Sequence, residues 1–158
     1  MNPDQALAIR GLLQGQRIAA LGTLHEGAPF VSMVPFALLP QAKGFVIHVS
    51  QLASHTRDMI QDPRVSLLVV APETPGTPPQ ALARITVRGT AERPPESDPD
   101  QAAARAAYLA RFPDAAPILA LGDFSFFVLR PLSVRFVGGF AQAGTLTPEM
   151  LRAALEVE

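Results

Sequence analysis

The stretch Gly44-Phe45-Val46-Ile47-His48-Val49-Ser50-Gln51-Leu52-Ala53-Ser54-His55-Thr56-Arg57-Asp58-Met59-Ile60-Gln61-Asp62-Pro63 decides how the chain is read. Its first third is apolar and rich in β-branched and aromatic residues, which predicts a strand. Its last third predicts a short helix stopped at Asp62-Pro63, because the residue before a proline is pushed out of the right-handed helical region. Hydroxyls, an imidazole and a guanidinium are packed into the junction between them. Ser54 is the expected N-cap of the helix. A helix start carries unpaired N–H groups and the positive end of the dipole, so the junction is also a candidate anion site.

Upstream, Arg17–Leu24 and Pro29–Leu38 predict two strands around the turn His25-Glu26-Gly27-Ala28, with Gly27 free to take a positive φ. Pro35 cannot donate to a ladder, so it marks an edge, a bulge or a strand end. Asn2-Pro3-Asp4-Gln5 reads as a capped helix start, and Ala6, Ile9 and Leu13 give a short amphipathic helix to about Gln14. Downstream, Arg64–Val70 is a near-continuous apolar strand. Ala71–Gln80 is a proline-rich loop, and Leu82–Glu92 alternates as a fifth strand. Asp98-Pro99-Asp100-Gln101 repeats the capped start and leads an alanine-rich helix to about Ala110. Pro117–Leu121 is expected to form one further helical turn. Asp123–Leu129 is a sixth strand, which Ser133–Val137 continues or follows as a seventh. Gly138-Gly139-Phe140 breaks it, and a last helix runs from Pro148 to about Glu156. Strands outnumber helices. A mainly β domain over residues 1–158, an antiparallel barrel of six or seven strands with peripheral helices, satisfies this pattern because closure removes exposed edges.

Bulk composition excludes several functions. The chain has 158 residues, a net charge of -1 and a single lysine, Lys43, so no basic field draws it to nucleic acid. Cysteine is absent, which removes disulfides, thiolate metal sites and cysteine nucleophiles and fits a cytoplasmic protein. No run of apolar residues is long enough for a membrane helix, and no signal peptide is recognisable. The histidines His25, His48 and His55 have no metal-site spacing, so no metal site is expected: His25 reads as a solvated turn residue and His48 as an ordinary strand residue. There is no G-x-S-x-G elbow and no dinucleotide or Walker loop. Arg84, alternating with Ile85 and Val87, is either solvated or set beside a planar acceptor ligand.

Three segments in this order, Gly27–Phe36, Phe45–Pro63 with Arg64, and Ala83–Ala91, resemble the pyridoxamine 5′-phosphate oxidase-like, FMN-binding split-barrel superfamily. The wording Leu52-Ala53-Ser54-His55-Thr56 and the tail from Asp123-Phe124 to Gly138-Gly139-Phe140 are most similar to its haem-utilisation subgroup. The resemblance implies a homodimer with two FMN sites at the interface. Ser32, Met33 and Val34 would face the flavin ring. Val49, Ser50, Ser54, His55, Thr56 and Arg57 would form the phosphate-binding segment, and Arg84 would approach the ring's polar edge. The second subunit would add Phe140 and Gln142. Pyridoxamine phosphate oxidases proper carry a basic pair where this chain has Ser54 and His55. The resemblance therefore implies an FMN-dependent oxidoreductase acting on a small molecule of unknown identity. The alternatives are a non-catalytic flavin, haem or other tetrapyrrole carrier, a deazaflavin-dependent reductase, and a dimeric scaffold without a ligand.

Overall fold

The computed structural model describes residues 1–139 and 142–156. Helix α1 (Pro3–Gly15) starts as expected: the Asn2 side chain accepts from the Gln5 N–H at 2.7 Å. Strands β1 (Ile18–His25) and β2 (Ala28–Pro35) pair along their whole length, His25 opposite Ala28. The two-residue turn between them puts Glu26 at φ 50 and Gly27 at φ 81, the left-handed pair that matches the twist of a tight hairpin. Phe36 then separates β2 from the two-residue β3 (Ala37–Leu38), and β4 is Phe45–Ser50. Helix α2 (Ser54–Gln61) leads to β5 (Arg64–Val70) and, after the proline-rich loop, to β6 (Arg84–Glu92). Helices α3 (Pro99–Arg111) and α4 (Ala116–Leu119) precede β7 (Phe124–Val137). Strand β8 (Ala143–Leu146) and α5 (Pro148–Glu156) complete the described chain.

All strands belong to one antiparallel sheet in the order β2-β1-β5-β6-β7-β4-β3, with β8 on β7. The two ends of that order, β2 and β3, are consecutive in the chain and only Phe36 lies between them. The sheet therefore curls back on itself as a split barrel. Among the described residues eight strands form where six or seven were expected. The extra two are β3, cut off at Phe36, and β8, a short Ala-Gly-Thr-Leu segment without an alternating signal. The segment from Asp123 onward is one strand and does not divide at Pro131. Its first half pairs with β4 and its end with β8, while β6 follows it from Val128 to Val137. The register slips between Arg88 and Gly89, opposite Pro131, so the residue without an N–H sits where the ladder is already broken.

Ile9, Leu13, Leu21, Phe36, Phe45, Ile47, Leu67, Ile85, Phe127 and Phe136 fill the barrel interior beneath α1 and α5. A second cluster, with Val46, Ala104, Tyr108, Phe126 and Val128, packs α3 onto the outer side of β4 and β7. Among the described residues no helix is long and apolar enough to cross a membrane.

Candidate functional site

The junction between β4 and α2 is built by its own polar side chains. Thr56 Oγ1 donates to the Ser50 carbonyl at 2.6 Å, and Ser50 Oγ accepts from the Leu52 N–H at 3.1 Å. Ser50 Oγ also approaches Asp123 Oδ2 at 3.4 Å. The expected cap at Ser54 is not formed. The extended residue before the helix is Ala53 (φ -72, ψ 142), which has no side-chain acceptor, and Ser54 is the first helical residue. The cause is the Thr56–Ser50 bond, which closes the turn one residue earlier than a serine cap requires. The first N–H groups of α2 are thus left without a side-chain acceptor, beside half-buried Ser54 and exposed Arg57.

One helical turn further on, α2 meets the hairpin. Asp58 is 2% exposed and accepts from Thr23 Oγ1 at 3.0 Å and from His25 Nδ1 at 2.7 Å. The imidazole is thus held at Nδ1, while the His25 side chain as a whole is 48% exposed. Phe30, a partly exposed aromatic, lies tilted at 5.7 Å from it. On the same side of α2, His55 Nδ1 and Ser32 Oγ are 3.0 Å apart. His25 is therefore not simply a solvated turn residue. The pair was invisible in the sequence because His25 and Asp58 lie on different elements, 33 positions apart. The only local signal was Glu26-Gly27, a turn tight enough to hold the residue before it in a ladder.

The other candidates separate by face. Ser32 and Val34 point to the inner side of the sheet, where Val34 is core, and Met33 points outward at 62% exposure. Val49 is also core, so it and Val34 can reach a ligand only through backbone atoms. Arg84 Nη1 donates to the carbonyls of Gln80 and Leu82, both at 3.0 Å, which ties the guanidinium to its own loop. Gln142 is exposed, and its carbonyl accepts from the Gly138 N–H at 2.7 Å. Phe140 lies outside the described residues. The structure thus gathers Ser32, Ser54, His55 and Arg57 around α2, and leaves Met33, Arg84 and Gln142 elsewhere on the chain.

Burial lowers the pKa of His48, helped by the charge of Arg105. Burial also lowers that of His55, partly opposed by Asp58. Both folded values thus lie below the ordinary 6.5. Between the folded and the unfolded value, the unfolded chain binds more protons than the native one, so acidification across that window favours unfolding. The melting temperature is expected to be level above about pH 7.5 and to fall as the pH is lowered through about 6.5. Thermal melts of wild type and of a His48→Gln/His55→Gln double variant check this, the double variant showing the flatter profile.

Comparison with known proteins agrees with this architecture. A family model described as pyridoxamine 5′-phosphate oxidase matches residues 7–138. The chain is 40% identical over 155 residues to the chloroplastic haem oxygenase HOZ of Arabidopsis thaliana, covering 92% of this chain and 45% of that protein. It is 29% identical over 137 residues to the haem oxygenase HutZ of Vibrio cholerae, covering 85% of this chain and 77% of that one. The solved haem-binding protein of Mycobacterium smegmatis superposes with a TM-score of 0.85 at 38% identity, over 97% of this chain and 62% of that one. The chain thus spans under half the length of the plant relative and under two thirds of the mycobacterial one. With the family model running from α1 to the end of β7 and the sheet curling as described, the chain belongs to the pyridoxamine 5′-phosphate oxidase-like split barrels, on their haem-utilisation side.

Proposed function

We propose that this chain is a haem-binding split barrel in which His25 ligates the iron. The observation that carries the proposal is the half-exposed imidazole held at Nδ1 by a buried carboxylate. Metal-ligating histidines are oriented in this way by a carboxylate behind them, which fixes the tautomer and raises the basicity of the free nitrogen. Thr23 holds Asp58, Asp58 holds His25, and Phe30 offers an apolar ring beside it. The open start of α2, with Arg57, suits a propionate. Bound haem supplies a redox-active iron; the chain supplies binding, orientation and electrostatics. The names of the three relatives support the same group.

The proposal includes a homodimer. Ile18, Val31, Met33, Leu68 and Val70 are exposed together on the outer side of β2, β1 and β5. A contiguous apolar sheet face of this kind is the usual mark of a protein interface, and a second copy covering it would bring two sites together.

FMN is the second reading, favoured by the same uncapped helix start, which would also accept a ribityl phosphate. It makes the protein an oxidoreductase acting on a small molecule. Against it, Ser50 and Thr56 already spend their hydroxyls on the junction. A competition titration separates the two: haemin followed in the Soret region, FMN by flavin fluorescence. Saturable haemin binding that FMN does not displace is the expected result. Saturable FMN binding with no Soret shift would overturn the haem proposal.

A further inference from the structure

The outer face of the sheet is divided between two chemistries. Its β2, β1 and β5 half carries the exposed apolar residues described above, and its β6 and β7 half carries guanidiniums. Ile85, Val87, Val134 and Phe136 are core, so Arg84, Arg88 and Arg135, which alternate with them, point outward. The register joins the two halves: Val70 lies opposite Arg84, and Leu68 opposite Thr86. On the other side of β6, Arg135 lies opposite Thr86 and Ser133 opposite Arg88. Arg84 and Arg88 are thus the two diagonal neighbours of Arg135, a spacing of about 7–8 Å in an antiparallel ladder. Among the described residues none of the three forms an ion pair. Arg84 gives Nη1 to two carbonyls of its own loop, and Arg135 Nη1 approaches Thr145 Oγ1 at 3.5 Å. Strands β5, β7 and β8 contain no Asp or Glu, and the one carboxylate of β6, Glu92, bonds Arg130. In a chain of net charge -1, three neighbouring cations without a counter-charge are a local excess. Like charges on adjacent strands repel, and an anionic partner relieves that repulsion.

We propose that this basic half of the sheet face docks an acidic protein surface. The guanidinium fork matches a carboxylate, and three of them set side by side match a cluster of Asp and Glu side chains. The face of a sheet suits a macromolecular surface, whereas small-molecule sites are concave. A single-stranded nucleic acid would stack its bases on aromatic rings, and the residues that share this half of the face are Thr86, Ser133 and Thr145. Like-charge repulsion excludes the basic half of a second copy as the partner. The apolar half is taken by the second copy in the proposed homodimer, so the acidic partner meets the margin of that dimer. The inference uses neither His25 nor α2 and stands without haem.

Fluorescence anisotropy with labelled poly-L-glutamate as the acidic probe tests this, beside labelled double-stranded DNA and co-sedimentation with phosphatidylglycerol vesicles. Poly-L-glutamate binding should saturate at low salt. It should weaken by about tenfold or more as salt rises from roughly 20 to 200 mM, as contacts between exposed charges do. Arg88→Gln with Arg135→Gln, both exposed positions, should weaken it by about tenfold, with the melting temperature and the sedimentation coefficient unchanged. Adding Arg84→Gln should weaken it further. Arg93→Gln with Arg105→Gln, two exposed arginines on other elements, should leave it as in wild type. No saturable binding, an equal loss in the two paired variants, or tighter binding of DNA or vesicles than of poly-L-glutamate would each overturn the proposal. A change of oligomeric state in Arg88→Gln/Arg135→Gln would also overturn it, by assigning the arginines to contact between copies.

Discussion

Asp58→Ala is expected to destabilise the protein by about 2–4 kcal/mol and to weaken the haem ligation proposed for His25 by about 10–100-fold in the same step. Asp58 joins two elements: it sits on α2 and accepts from both Thr23 Oγ1 and His25 Nδ1 of β1. Thr23 is 4% exposed, so removing the carboxylate strands a buried hydroxyl as well as breaking the bond to His25. The imidazole then loses its fixed tautomer and its orientation. Asp58→Asn separates the two consequences. The amide keeps the shape and one acceptor, so stability falls by about 1–2 kcal/mol, while the charged carboxylate that orients His25 is lost. Chemical denaturation reads the first effect and haemin titration the second. Equal stability of Asp58→Ala and wild type would contradict the packing described.

Gly89→Ala is the second large effect, and it bears on the barrel rather than the site. A Cβ at Gly89 would lie 2.1 Å from the carbonyl oxygen of Arg130 and 2.9 Å from its carbonyl carbon. Both are backbone atoms of the neighbouring strand, so no side chain can rotate away. The residue stands at the register slip where β6 crosses Pro131, and the bulge must open to admit a methyl group. A loss of about 2–4 kcal/mol is expected, which lowers the melting temperature by roughly 5–15 °C in a domain of this size. Gly27→Ala makes a useful contrast. It has open space around it and a φ of +81, so its cost is backbone strain alone, about 1–2 kcal/mol. Differential scanning calorimetry of the two variants checks the order.

These two residues also divide what was legible in the sequence from what was not. The hairpin was readable because Glu26-Gly27 states its turn chemistry locally, between runs that alternate. The helix caps at Asn2 and Asp98 were readable for the same reason, and both side chains accept the expected N–H groups. Strand β8 was not, since the four residues Ala143-Gly144-Thr145-Leu146 carry no periodicity and pair only because β7 runs long. The cap at Ser54 was misread because the hydroxyl that closes the turn, Thr56, reaches backward to Ser50, a preference that propensity alone does not reveal. The reading of Ser50–Arg57 as a phosphate-binding segment rests on its place in the family's order of segments, not on its local chemistry. The His25–Asp58 pair had neither aid, for only the register of β1 on β2 and the seat of α2 against them bring the two together. The aromatic packing around His48 was equally hidden, because a strand histidine looks the same whether its neighbours are water or phenylalanine.

The central claim, that the barrel holds haem iron through His25, is tested most directly by resonance Raman spectroscopy of the ferrous haem-loaded protein. The account predicts an iron–histidine stretch in wild type that disappears in His25→Ala, returns when imidazole is added, and persists in His48→Ala. It also predicts a shift of that band in Asp58→Asn, where the hydrogen bond to Nδ1 is weakened. An iron–histidine band of unchanged frequency and intensity in His25→Ala would contradict it.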